Sequence, residues 1–384
     1  MSEKSDVMKP IGFDRRRTAE ILDAHDIDVL VASTDVNVFY TTGLPTLHVA
    51  NNPILWVLKN QFPYIALIRR DGELSLFYWM VFSSLEKFSW VRDATGIISP
   101  QQAMKMVSDK LVEWGIESGK TVGLESLMPR YQADHLKSKF PDVKFIDGDN
   151  AFLRMRRVKS KEEQERIKKS TAIAEKAIEQ IIEEVYEGIT DNDLLKIARR
   201  TIIDEGAEGW DHLTIGIGSA DPEAPGVGTI MKKGDITRLD IGAVWKGYVS
   251  DVSRHVVIGE VPEGADEVVE RMVKVQDFCV EQIRPGADPS EVYKAAMKFH
   301  QPLKPGVRPI ITCHTIGLEC EEEQIFSRMG KADFPFEEGM VMDIEIWQNF
   351  KDLGLIGVED CYRVTKSGCE RISTLNKEIF VKRG

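Results

Sequence analysis

Long hydrophobic runs are missing from these 384 residues. No window approaches about 18 uninterrupted apolar positions, and Met1 to Pro10 is polar and mixed in charge, without the apolar core of a signal peptide. A membrane partner is therefore not expected, and the cytoplasm is the expected compartment. Cysteine is scarce as well: Cys279, Cys313, Cys320, Cys361 and Cys369 are odd in number and crowd into the last third, which argues against a disulfide framework. Positive charge is in deficit, with 50 Lys and Arg against 62 Asp and Glu for a net of −12. Without a basic footprint, nucleic acid is not an expected partner. Low-complexity tracts and helical-repeat periods are also lacking. What is present is an ordinary globular composition, 42% hydrophobic and 29% charged, on a chain long enough for two domains.

The first 150 residues alternate between helical and strand patterns. Arg15 to His25 is amphipathic, Ile27 to Ala32 is a short apolar strand, and Tyr64 to Ile68 with Leu74 to Tyr78 flank Asp71-Gly72, a hairpin signal. Helices at Gln101 to Glu113 and Tyr131 to Lys139, with strands near Val122 and Val143, complete an α/β domain without an evident catalytic group. Its aromatic stretch Phe77 to Phe82 reads first as core, with a cap on the cleft or a surface against a second subunit as the alternatives. A second domain, 151–384, follows. It opens on a charged amphipathic helix, Lys159 to Glu187, with Ser160 and Glu163 spaced as a capping box. Two helices followed by strands then occur twice. Lys232-Lys233-Gly234 leads to Asp240 six residues past its glycine, and Glu337-Glu338-Gly339 leads to Glu345 at the same distance. Each segment continues to a second acid and an arginine, Asp251 with Arg254 and Glu359 with Arg363.

The duplicated acids carry the chemistry. Folding the first hairpin about Trp245-Lys246 sets Asp240 directly across from Asp251, and folding the second about a loop near Phe350 to Gly354 sets Glu345 across from Glu359. Facing carboxylates in apolar strands repel one another and are costly to bury, so something positive is expected between them. A single acid in a strand ordinarily faces water. The repeated spacing turns the reading toward two divalent ions, with His314 as a nitrogen ligand.

The runs LDIGAVWKGYVSDVSRHVVIG, HTIGLE, EEGMVMDIE and GVEDCYRVTKSG resemble the metallopeptidase family of prolidase, aminopeptidase P, methionine aminopeptidase and creatinase. The N-terminal IDVLVASTDVNVFYTTGL and the linker RMRRVKSKEEQERIKKS resemble its creatinase/prolidase branch. The resemblance implies an α+β chain. Its C-terminal half would be a pita-bread domain, duplicated helix-helix-strand units on a mostly antiparallel curved sheet, preceded by an α/β creatinase-like domain. It implies Asp240, Asp251, His314, Glu345 and Glu359 as ligands of two divalent ions (Mn, Co, Zn or Fe), bridged by Asp251 and Glu359. It also implies Glu345 as proton shuttle, a dipeptide or other small nitrogenous substrate cut at an amide bond, and a homodimer.

The pattern is broken in places. The proline-specific members resembled here carry histidines where this chain has Ile310 and Glu321, and no histidine occurs between His212 and His255 to fill a third such position. Thr315 replaces a usual glycine and Ile346 a usual proline. These departures leave the ligands intact and open an alternative, a creatinase-like amidine hydrolase or a lyase. A partner-recognition module without catalysis is a third class, opposed by the intact ligand set. His212 and His255 are candidate substitutes for the missing histidines, His255 because alternation from Asp251 puts it on the ligand face. Trp210 beside His212, and Glu321 in place of a substrate-side histidine, are candidate substrate contacts. The run Glu319 to Glu323 otherwise reads as a solvated acidic stretch.

Overall fold

The computed structural model describes residues 9–45, 61, 63–80, 84–223, 225–299 and 308–383. Val81 and Phe82 of the aromatic stretch, and Met1 to Met8, lie outside the described residues. The chain divides into two compact units, Met1–Arg156 and Arg157–Gly384, against a boundary of 150/151 read from composition.

The first unit holds a six-stranded mixed sheet. Its strands are β1 (Val29–Ala32), β2 (Ile65–Arg69), β3 (Leu74–Trp79), β4 (Ala94–Ile97), β5 (Thr121–Leu124) and β6 (Lys144–Asp147), in the order β4-β3-β2-β1-β5-β6. The expected hairpin about Asp71-Gly72 is β2 with β3, pairing Ile65 with Phe77, and Gly72 takes the positive φ of 77° that its tight turn requires. Helices α1 (Arg15–Ala24), α2 (Asp35–Thr42), α3 (Pro100–Glu113) and α4 (Arg130–Lys139) complete the unit, followed by α5 (Asp149–Arg157) at its end.

The second unit is built twice over. Helices α6 (Lys161–Glu184) and α7 (Asp191–Asp204) precede β7 (Gly209–Ile217), β8 (Thr237–Trp245), β9 (Tyr248–Val249) and β10 (Val252–Ile258). Helices α8 (Ala265–Gln282) and α9 (Pro289–Phe299) precede β11 (Ile310–Thr315), β12 (Gln324–Phe326), β13 (Val341–Phe350) and β14 (Gly354–Val364), with β15 (Cys369–Arg371) and β16 (Phe380–Lys382) last. The main sheet runs β12-β11-β13-β14-β10-β8-β7, so the two halves meet back to back at β14 and β10. Ser160 and Glu163 form the capping box that starts α6.

Alternation along the strands separates two faces. Leu239, Ile241 and Ala243 of β8 pack with α6 and α7, while Met342, Ile344 and Ile346 of β13 pack with α8. The opposite face carries Arg238, Asp240 and Gly242 on β8, and Asp343 and Glu345 on β13. That face is the one left for chemistry.

Two hairpins set its register. In the second, Phe350 pairs with Gly354 and Glu345 with Glu359, as expected. In the first, the turn is Lys246-Gly247, both residues having positive φ (49° and 83°) as a two-residue type I′ turn demands. Trp245 therefore pairs with Tyr248, and Asp240 pairs with Ser253 rather than Asp251. The direct pairing of the two aspartates is thus corrected. The difference is an even number of residues, so both still share a face.

Candidate metal centre

One transverse row crosses the whole sheet. Thr214, Asp240, Ser253, Glu359, Glu345 and Thr312 are successive partners on β7, β8, β10, β14, β13 and β11. Directly opposed residues project to the same side, so three carboxylates stand in line. In the next row His314 pairs with Asp343, and Asp343 with Cys361. Asp251 precedes β10 by one residue. Ser250 N–H still bonds Ala243 C=O, which keeps Asp251 beside Gly242 on that face.

Asp240, Asp251, His314, Glu345 and Glu359 line a cavity of about 270 Å³ together with Asp211, His212, Glu223, Cys320 and Glu321. Asp240, Asp251, His314 and Glu359 are all buried. Within it, Asp251, His314 and Glu359 offer ligand atoms within 4.8 Å of one another; so do His212, Asp240 and Asp251, and, nearer the rim, Asp211, His212 and Cys320. Asp240 Oδ1, Glu359 Oε1 and His314 Nδ1 are buried without a hydrogen-bond partner, while Asp251 Oδ1 and His212 Nε2 face each other as an ion pair at 3.0 Å. Polar atoms buried in this state cost free energy unless a cation is there to be coordinated. Carboxylate oxygens and imidazole nitrogens suit a divalent first-row ion.

His212 enters the cavity because Gly242 has no side chain: a Cβ there would lie 2.5 Å from His212 Cε1. Its Nε2 is 3.0 Å from Asp251 Oδ1 and 3.6 Å from Asp240 Oδ1. Burial works against charge on both partners, yet His212 holds the Asp251 carboxyl well below the carboxylate range, and Asp251 holds His212 well above the usual imidazole value. Cys320 Sγ donates to Asp251 Oδ2 at 3.1 Å. Burial raises Glu359 and Asp343, helped in both by the charge of Asp251. Burial also raises Glu345, against the pull of Arg238.

Arg238 was not anticipated. Two residues before Asp240, it falls on the same face, and its guanidinium lies among the acids: Nη1 is 2.9 Å from Asp240 Oδ2, Nη2 is 2.5 Å from Glu345 Oε1, and Nη2 is 4.0 Å from Glu359 Oε2. Strand alternation was the signal that could have found it, and likewise Asp343, two residues before Glu345.

The remaining expected residues divide. Glu321 lines the cavity at its exposed rim. Trp210 is 42% exposed, does not line the cavity, and has Arg199 5.2 Å from its ring centre. His255 shares the ligand face but is fully buried, and its Nε2 accepts the Gly357 N–H at 2.9 Å. Burial, with Arg238 and Arg254 nearby, brings the His255 pKa down to about 3, so its ring is neutral. The acidic run is not simply solvated: Glu322 pairs with Lys159 at 2.8 Å with both side chains buried, and Glu323 takes both arms of Arg157.

The metallopeptidase family M24 model matches residues 165–366, more than half of the chain, and the creatinase/prolidase N-terminal domain model matches 15–158. The chain belongs to metallopeptidase family M24. Among the M24 relatives it resembles, the Xaa-Pro dipeptidase of Pyrococcus horikoshii is 27% identical over 370 residues, covering 95% of this chain and 98% of the relative. A solved dipeptidase from Pyrococcus horikoshii superposes with a TM-score of 0.81 at 22% identity, covering 96% of this chain and 99% of that one. An X-Pro aminopeptidase from Thermotoga maritima does so at 0.79 and 22%, covering 95% and 100%. The M24 fold is accordingly the pita-bread fold, preceded by a creatinase-like domain.

Proposed function

We propose that this M24 chain hydrolyses the amide bond of a dipeptide-sized substrate, Xaa-Pro dipeptides first among those to be tried. The observation that carries the reading is the convergence of Asp251, His314 and Glu359, with buried atoms lacking partners, on a small acidic cavity. Membership of M24 and the dipeptidase activity for which the relatives are named support peptide cleavage over the creatinase-like amidine alternative. Lewis acidity is what a divalent ion (Mn, Co, Zn or Fe) supplies to this ligand set: a polarised amide carbonyl and acidified water.

The chain's own groups do the rest. Glu345, raised by burial and fixed by Arg238, takes a proton from the attacking water and passes it to the leaving nitrogen. Asp211, Glu223 and Glu321 around the cavity favour the cationic amino end of a dipeptide. A volume of about 270 Å³ suits a dipeptide and is small for a longer chain. Among the described residues no helix is long and apolar enough to cross a membrane. A cytoplasmic homodimer is the accompanying reading, drawn from the family resemblance and checked by light scattering.

The test is a panel of Xaa-Pro dipeptides, other dipeptides and amidines with metal-loaded protein. Metal-dependent dipeptide cleavage that disappears in Asp251→Ala supports the reading. Turnover of an amidine with no dipeptide cut overturns it.

A further inference from the structure

The family resemblance implies two ions, yet one cation is already built into the chain. Arg238 is buried at 2% exposure and makes four polar approaches: Nε donates to Ser253 Oγ at 2.9 Å, Nη1 pairs with Asp240, and Nη2 pairs with Glu345 and lies within 4.0 Å of Glu359. A guanidinium is charged at any working pH and its planar fork cannot be swapped for a spherical ion without leaving the site. The backbone is shaped for it. Gly357, across the sheet, has no side chain where a Cβ would come within 3.0 Å of Arg238 Nε and 2.8 Å of Trp347 Cβ. The cradle therefore holds the guanidinium against the acids.

The geometry points to a centre that takes one divalent ion, held by Asp251, His314 and Glu359, with the Arg238 guanidinium standing where Asp240, Glu345 and Glu359 would otherwise share a second. Asp240 Oδ2 is already engaged from two sides, by Arg238 and by Thr214 Oγ1 at 3.1 Å, and its other oxygen, Oδ1, faces His212 Nε2 at 3.6 Å. Glu345 belongs to none of the three groups of converging ligand atoms among the described residues. Glu345, held by the arginine rather than by metal, is then free to work as the proton-carrying group.

This inference rests on the metal-hydrolase reading, and metal stoichiometry separates the two. Chelator-stripped full-length protein is titrated with Mn2+ by calorimetry, its content is measured after dialysis, and its electron paramagnetic resonance is recorded. One ion per chain with the spectrum of isolated Mn2+ is expected. Two ions of similar affinity, or an exchange-coupled pair, overturn the one-ion centre while leaving a metal enzyme; no binding overturns the metal-hydrolase reading itself. Arg238→Ala is expected to rise to two ions per chain, and a folded variant that still binds one counts against the proposal. Glu345→Gln is expected to keep the single ion and Glu359→Gln to lose it. Loss of the ion in Glu345→Gln overturns the assignment, and the unmodified chain's spectrum decides the matter even if Arg238→Ala does not fold.

Discussion

Single side chains in this site are governed by what lies two positions away on the same strand. The acids Asp240, Asp251, Glu345 and Glu359 were legible in the sequence because the same glycine-to-acid spacing recurs in both halves, each time followed by a second acid. Arg238 and Asp343 were not, since an arginine or aspartate near a strand end reads as solvated until the sheet closes over it. For Glu345, replacement by Gln keeps the shape and removes the proposed proton carrier, and kcat is expected to fall about 10²- to 10⁴-fold. Steady-state kinetics beside a metal analysis will show it. His255 offers a second test. Burial, with the charges of Arg238 and Arg254, keeps its ring neutral, with a folded pKa of about 3 against 6.5 when free, and its Nε2 accepts the Gly357 N–H. Above pH 6.5 both states carry a neutral ring and nothing is exchanged. Below that, the unfolded chain binds a proton that the folded one refuses, so this contribution to stability is present above the free value and is lost as pH falls toward 3. Urea unfolding between pH 6 and 4.5 is expected to lose about 1.4 kcal/mol per pH unit more than His255→Gln loses. Parallel pH slopes for the two proteins would remove this role for His255.

At the scale of strands and turns, the second hairpin was readable to the residue because Gly354, with its positive φ of 87°, closes the loop opposite Phe350. The first was read out of register because Lys246 adopts a left-handed conformation that lysine rarely takes, moving the turn one residue along. Parity rescued the site: a slip of one residue in the pairing would have sent Asp240 to the helix side. Gly247→Ala, at a φ of 83°, is expected to cost about 1 kcal/mol or more. Gly357→Ala drives a methyl against Trp347 and Arg238, and about 1–3 kcal/mol is expected for that crowding. Denaturant midpoints at constant slope measure both, and a neutral Gly357→Ala would mean that the arginine's cradle is not tight.

For the molecule as a whole, the helix-helix-strand duplication could be read from two glycine-to-acid spacings, while the back-to-back order of the halves could not, because strand order is decided by long-range pairing. The proposed ligand set, drawn from both halves, would tie stability to loading. Metal at about 100 times its Kd is expected to add about 2.7 kcal/mol to unfolding, and a chelator to remove it, read as a shift in Tm. The junction itself is unusual. β10 and β14 share one paired position, Ser253 with Glu359. Elsewhere along it side chains replace the ladder: His255 takes the Gly357 N–H, Ser253 Oγ donates to Gly357 C=O at 3.3 Å, and Arg254 donates to Glu359 C=O at 2.8 Å. A seam with one paired position is a natural line of parting, and the proposed ligands sit astride it like a clasp. Amide hydrogen exchange along β10 and β14 would then slow when the clasp is shut, while the outer strands β7 and β12 keep their own pace.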